Sequence, residues 1–165
     1  MNNSDTKNIA SSENVVRLLN RIWIVDGVLQ PSAFVLNASE TYISVNRPAI
    51  SSYSEDVADF LSKHPAFYAA GLRDSYCRAS LSVGQIRKIQ CETENKSLIV
   101  DVDVEPRSSH YLSHAGIFTR IGGVIVRPGK EIWLQNSNYG VSSESILIKL
   151  RFFLLKMATV ETCQL

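Results

Sequence analysis

A chain of 165 residues that is 45% apolar and 20% charged can fill one buried core, and shows no bias toward disorder, collagen or low complexity. Seventeen Lys and Arg against sixteen Asp and Glu leave a formal charge of +1, so no global field draws nucleic acid or an anionic membrane to the surface. Any nucleic-acid binding has to be local. Cys77, Cys91 and Cys163 are odd in number and lack the spacing of a disulfide framework or a zinc cluster, so they read as reduced thiols.

Residues 1–12, MNNSDTKNIASS, are polar, with neither a basic start nor a continuous apolar stretch. They read as a flexible N-terminus and not as a secretory or transit signal, which points to the cytoplasm. Residues 13–165 read as a single domain. Val15, Leu18, Leu19, Ile22 and Trp23 recur at the i, i+3, i+4, i+7, i+8 spacing. This predicts a short helix over 13–22 with Ser12 as its N-cap. In WIVDGVLQP an Asp-Gly turn between apolar pairs predicts a loop or short hairpin, and TYISVNRP, Thr41 to Pro48, reads as a strand. Ser54 then begins a second predicted helix. Glu55 and Asp56 lie at its positive end, Val57, Phe60 and Leu61 form its inner stripe, and Pro65 stops it.

From Tyr76 the period changes to two. YCRASLSVGQIRKIQCE and SLIVDVDVEP, joined by the polar TENKS, predict an antiparallel pair over 76–105. GIFTRIGGVIVRPGKEIWLQ adds two or three short strands punctuated by Gly122-Gly123 and Pro128-Gly129. The last element, 143–159, predicts a helix capped by Ser142 or Ser143. This order predicts an α+β fold: a mostly antiparallel sheet of about five strands covered by two or three helices.

The stretch DVDVEPRSSHYLSHAGI carries the residue types of a site. On a strand, Asp101, Asp103 and Glu105 share one side, where carboxylates suit a hard cation and His110 or His114 supplies a base. The same alternation also describes a sheet's wet face. HYLSH lacks the Glu that follows the first histidine of a zinc helix, so neither a metal nor a cofactor is expected. Arg107, Ser108, Ser109, His110, Ser113 and His114 gather hydrogen-bond donors at a strand end, where binding groups sit. Ser32, Arg107, Ser109, His110 and His114 are therefore the candidate ligand or partner site, and a small anion fits it better than a bare cation. No nucleophile turn accompanies Cys77, IGGVIV lacks the glycines and lysine of a phosphate loop, and His64 beside Pro65 reads as a surface or capping residue.

The order RIW, PSAF (Pro31 to Phe34), ISV (Ile43 to Val45), then EP and HAGI resembles a group of small uncharacterised bacterial proteins with a Pro-Ser-Ala/Ser segment, a Leu-Ser-Val strand and a late His-Ala. The resemblance covers roughly residues 21–118. It implies no activity, and it makes Ser32, Ser44, Arg87 and His114 the matching positions.

Between Ile146 and Met157 only Lys149, Arg151 and Lys156 are polar. The helix falls short of the roughly 20 apolar residues that span a bilayer, and it has too few cations for a membrane-surface helix. It is either a core helix or one shared with another chain, with Ile146, Phe152, Phe153 and Leu155 as the candidate interface. Three functions follow. The first is a non-catalytic cytoplasmic accessory or interaction protein, acting through a protein partner or homo-oligomer. The second is a hydrolase or nuclease using His114, Arg107 and the Asp101/Asp103/Glu105 strand. The third is an anionic-ligand binder at the Arg107–His114 loop.

Overall fold

The computed structural model describes residues 8–51, 55, 75–91, 100–107, 112–133 and 140–161. Eleven strands occur among them. They are β1 (Asn14–Asn20), β2 (Ile24–Val25), β3 (Val28–Leu29), β4 (Ile43–Asn46), β5 (Ser75–Ser82), β6 (Val100–Pro106), β7 (His114–Ile121), β8 (Val124–Ile125), β9 (Glu131–Trp133), β10 (Gly140–Ser142) and β11 (Thr159–Glu161). The helices are the one-turn α1 (Val83–Ile86), the long α2 (Ser143–Met157) and two 3-10 turns, Arg21–Trp23 and Pro31–Phe34. The main sheet is seven-stranded, in the order β11-β5-β1-β4-β7-β6, with β8 folded back on β7. Every pairing given for it is antiparallel.

The expected α+β fold, about five strands under two or three helices, does not hold. The molecule is sheet-dominated, and α2 is the one helix longer than a single turn among the described residues. The clearest departure is at 13–22, where strand β1 replaces the predicted helix. β1 runs between β4 and β5 and is buried on both faces, with Val15 and Leu19 turned to one side and Val16 to the other. A strand covered on both sides puts apolar residues at consecutive positions, a run that also satisfies helical spacing. The helix predicted after Ser54 lies outside the described residues except for Glu55, which is helical and exposed.

The predicted pairing within 76–105 is also absent. β5 bonds to β1 and β11, whereas β6 bonds to β7. The run expected to continue as strand turns into α1 after Ser82, whose hydroxyl accepts from Gln85 N at 3.4 Å. The short hairpin β2–β3 forms as read, with Asp26 at φ 51° and Gly27 at φ 78°, the positive φ that a two-residue turn demands. Gly122 and Gly123 turn β7 into β8 in the same way. The acidic strand β6, the short strands after Phe118 and the final helix also stand near their predicted places.

One face of the sheet forms the core. Val15 and Leu19, Ile43 and Val45, Val100, Val102 and Val104, and Ile117 and Ile121 point to it, and Ile146, Leu147, Leu150 and Leu154 of α2 cover it. Each such side chain contributes about 2 kcal/mol on leaving water. Arg17 crosses this inner side, donating to Ala33 O at 3.2 Å and Ser44 O at 2.8 Å with its guanidinium over Trp23. It thereby ties the Pro31–Phe34 turn to the sheet. Arg47, 2% exposed, makes a two-nitrogen pair with Glu13, and its NH2 also reaches Asn8 O. With Ile9 in the core, this holds residues 8–13 against the end of β4.

Candidate functional site

The outer face of the sheet carries most of the chemistry flagged in the sequence. Strand alternation puts Ser44 and Asn46 of β4, His114, Gly116, Phe118 and Arg120 of β7, and Asp101, Asp103 and Glu105 of β6 on this side. The register places Ser44 opposite Gly116 and Asn46 opposite His114. Ser44 Oγ and His114 Nε2 are 2.8 Å apart, and His114 is 5% exposed. A Ser–His contact at this distance is the geometry of a nucleophile and its base. It is equally how a buried histidine and a half-buried hydroxyl satisfy each other. Ser44 lies within a strand bonded on both sides and not on an exposed turn, which favours the second role.

Around this pair stands a layer of rings and guanidinium groups. Tyr42 lies 5.8 Å from His114 and 5.0 Å from Phe118, centroid to centroid. Arg107 stacks over Tyr42 at 5.1 Å and reaches Phe118 at 5.8 Å, while Arg120 covers Phe118 from another position at 5.0 Å. The guanidinium groups shield the rings from water and gain cation–π attraction. Arg120 is paired with Glu105, and Asp103 accepts from Arg87 Nε at 2.6 Å. Two of the three acids are therefore held by cations, and no group of three His, Cys, Asp or Glu capable of holding a metal occurs among the described residues. Arg107 forms no ion pair among the described residues. Its backbone N donates to His114 O at 2.7 Å, which fixes its place beside the histidine.

Of the predicted site residues, Arg107 and His114 come together. Ser32 does not join them: it is exposed on the Pro31–Phe34 turn, which packs beside α2. Ser109 and His110 lie outside the described residues. Arg87 of the resemblance group sits beyond α1, bonded to Asp103 and to Ser11 Oγ. The contacts of Ser44 and Tyr42 with His114 are not expected from local pattern; pairing the parity of ISV with that of HAGI places Ser44 and His114 on one face.

The candidate interface on α2 divides. Ile146 is buried in the core, Leu155 is half-buried, and Phe152 and Phe153 are 58% and 40% exposed. Ile148 and Phe152 follow i, i+4 on the side away from the sheet, and Leu155 at i+7, packed partly against the core, closes the strip. Arg151 borders the strip on one side, with Lys149 and Lys156 on the other. At the end of α2 the chain enters β11, an edge strand exposed at all three positions, Val160 included.

The cysteines differ from the expectation of reduced thiols. Cys77, on the inner face of β5, is disulfide-bonded, and Cys91 is free and buried. Among the described residues no helix is long and apolar enough to cross a membrane. Comparison with known proteins found no matching family model, no similar curated protein and no similar solved structure.

Proposed function

We propose that this protein is a non-catalytic interaction module whose working surface is the solvent side of α2. The observation that carries this reading is Phe152, 58% exposed midway along an apolar strip, on a helix whose opposite side already fills the core. A large aromatic standing in water beside Ile148 and Phe153 is the kind of residue that dominates interfaces. Arg151 and Lys156 at its borders call for a partner polypeptide with an apolar ridge and acidic flanks. Among the described residues β11 pairs on one side alone, and its other edge gives the same partner backbone groups to bond.

Native mass spectrometry and sedimentation of the full chain purified from its host test the reading. The expected result is a defined complex heavier than the 18.4 kDa chain, which Phe152→Glu dissociates without lowering the melting temperature. A monomer under all conditions, unchanged by Phe152→Glu, overturns it. Ile146→Glu serves as the contrast, since Ile146 is core and its change unfolds the chain.

A second reading, a binder of small anions beside His114, is favoured by Arg107, whose guanidinium rests on Tyr42 and forms no ion pair among the described residues. Arg107→Gln abolishes such binding and leaves the assembly intact. The setting follows from the thiols. A Cys77 disulfide persists in an oxidising compartment and not in a reduced cytoplasm. The cytoplasmic placement therefore depends on the free-thiol count of chain taken from its host.

A further inference from the structure

The turn between β8 and β9 and the hairpin before it enclose an open cleft of about 590 Å³, lined by Val124, Ile125, Arg127, Lys130, Glu131 and Trp133 among others. Its size is that of a small-ligand site. Trp133 is 62% exposed, and its position is nonetheless set. It pairs across the ladder with Gly140, where a Cβ would approach Trp133 Cζ2 to 3.3 Å, so the indole lies close against bare backbone. Ile132 next to it is buried and anchors the strand. The cationic turn is also fixed. Lys130 N donates to Ser143 Oγ at 3.2 Å, and Gly129 N donates to Glu144 Oε1 at 2.8 Å, binding the turn to the start of α2.

The side chains of Arg127 and Lys130 make no ion pair or hydrogen bond among the described residues. Glu131, the one carboxylate in the lining, offers an acceptor beside the indole. An exposed aromatic plate, an apolar floor, two uncommitted cations and one acceptor form a complementary set.

We propose that this cleft binds a nucleoside phosphate, free or as one residue of a single strand. The base stacks on Trp133 and gives an amino proton to Glu131, and the phosphate lies between Arg127 and Lys130. Stacking accepts any base, and the arginine fork and lysine charge take the anion. The balanced charge of the whole chain is no obstacle, because the two cations act locally.

The test is titration of the full chain with adenosine monophosphate, adenosine, inorganic phosphate and a short single-stranded oligodeoxyadenylate, read by indole fluorescence and calorimetry. The nucleotide or the oligomer should bind saturably and quench the indole. Binding by the free nucleotide places a soluble ligand in the cleft; binding by the oligomer alone places a strand there. Trp133→Ala should weaken binding about tenfold or more, and Trp133→Phe should largely restore it. Arg127→Gln with Lys130→Gln should weaken the phosphate-bearing probes and leave adenosine unchanged. The proposal is overturned if no probe binds at millimolar concentration, if inorganic phosphate binds as tightly as the nucleotide, or if binding survives both sets of substitutions. Circular dichroism confirms folding; should Trp133→Ala unfold, Trp133→Phe and the charge variants decide.

Discussion

The ring of Tyr42 lies against the bare Cα of Gly116: a Cβ built at 116 would stand 2.5 Å from Tyr42 Cδ2 and 3.0 Å from Phe118 Cε2. Gly116 is flanked by β4 and β6, so backbone movement cannot relieve the overlap cheaply. Gly116→Ala should destabilise the fold by about 1–3 kcal/mol, the cost of overpacking. Urea denaturation measures it. The same change made in a Tyr42→Ala background should cost much less, and equal costs in both would show that the ring is not the obstacle.

Ser44 and His114 are the one nucleophile–base pair that the described outer face presents, and the burial of His114 makes them partners in packing. His114→Ala leaves the Ser44 hydroxyl without its imidazole and should lower stability by about 1–3 kcal/mol. A fluorophosphonate probe should leave Ser44 unmodified in the native protein. Labelling of Ser44 that His114→Ala abolishes would instead establish a working nucleophile and revive the hydrolase.

Much of this arrangement was legible one strand at a time. The alternation of DVDVE gave the correct split of valines inward and acids outward, and the polar breaks placed the β2–β3 and β7–β8 turns. What stayed hidden depends on which strands are neighbours. Val15 to Leu19 looks helical until β1 is known to be an inner strand between β4 and β5, with Val15 and Leu19 buried on one face and Val16 on the other. Ser44 meets His114 across 70 residues of sequence through the β4–β7 register alone. Short antiparallel strands can pair in many orders without changing their own patterns, so a nearest-neighbour reading wrongly joined β5 to β6. Nothing in EIW marks Trp133 as exposed, because an aromatic in a strand usually packs inward; its place opposite Gly140 appears only once β9 and β10 are paired.

Thr119 is 3% exposed on the inner face, opposite Val102, and its Oγ1 has no hydrogen-bond partner among the described residues. A buried hydroxyl without a partner gives up its water and receives nothing in return. Thr119→Val keeps the branched shape and replaces the hydroxyl by a methyl group. It should therefore raise stability by about 1–2 kcal/mol, read as a higher urea midpoint with an unchanged slope. A lower midpoint would mean that the hydroxyl has a partner on the inner face after all.

Cys91 gives the fold a dependence on alkaline pH. Burial pushes its thiol above the ordinary range, because the thiolate would lose its hydration, and the charge of Lys149 offsets part of that rise. In the unfolded chain the thiol ionises near pH 8.5. Below that pH both states keep the proton, and the contribution of the neutral buried thiol is fully present. As pH rises past it, the unfolded chain releases the proton first and the folded chain still holds it, so the equilibrium moves toward unfolding. The loss continues until the folded-state value is passed. Urea midpoints should therefore fall between neutral pH and pH values above about 8.5, and Cys91→Ala should fall less over the same window. Lys149→Gln should steepen the fall, since it removes the charge that favours the thiolate. Equal slopes for the parent and Cys91→Ala would assign the alkaline loss to other groups.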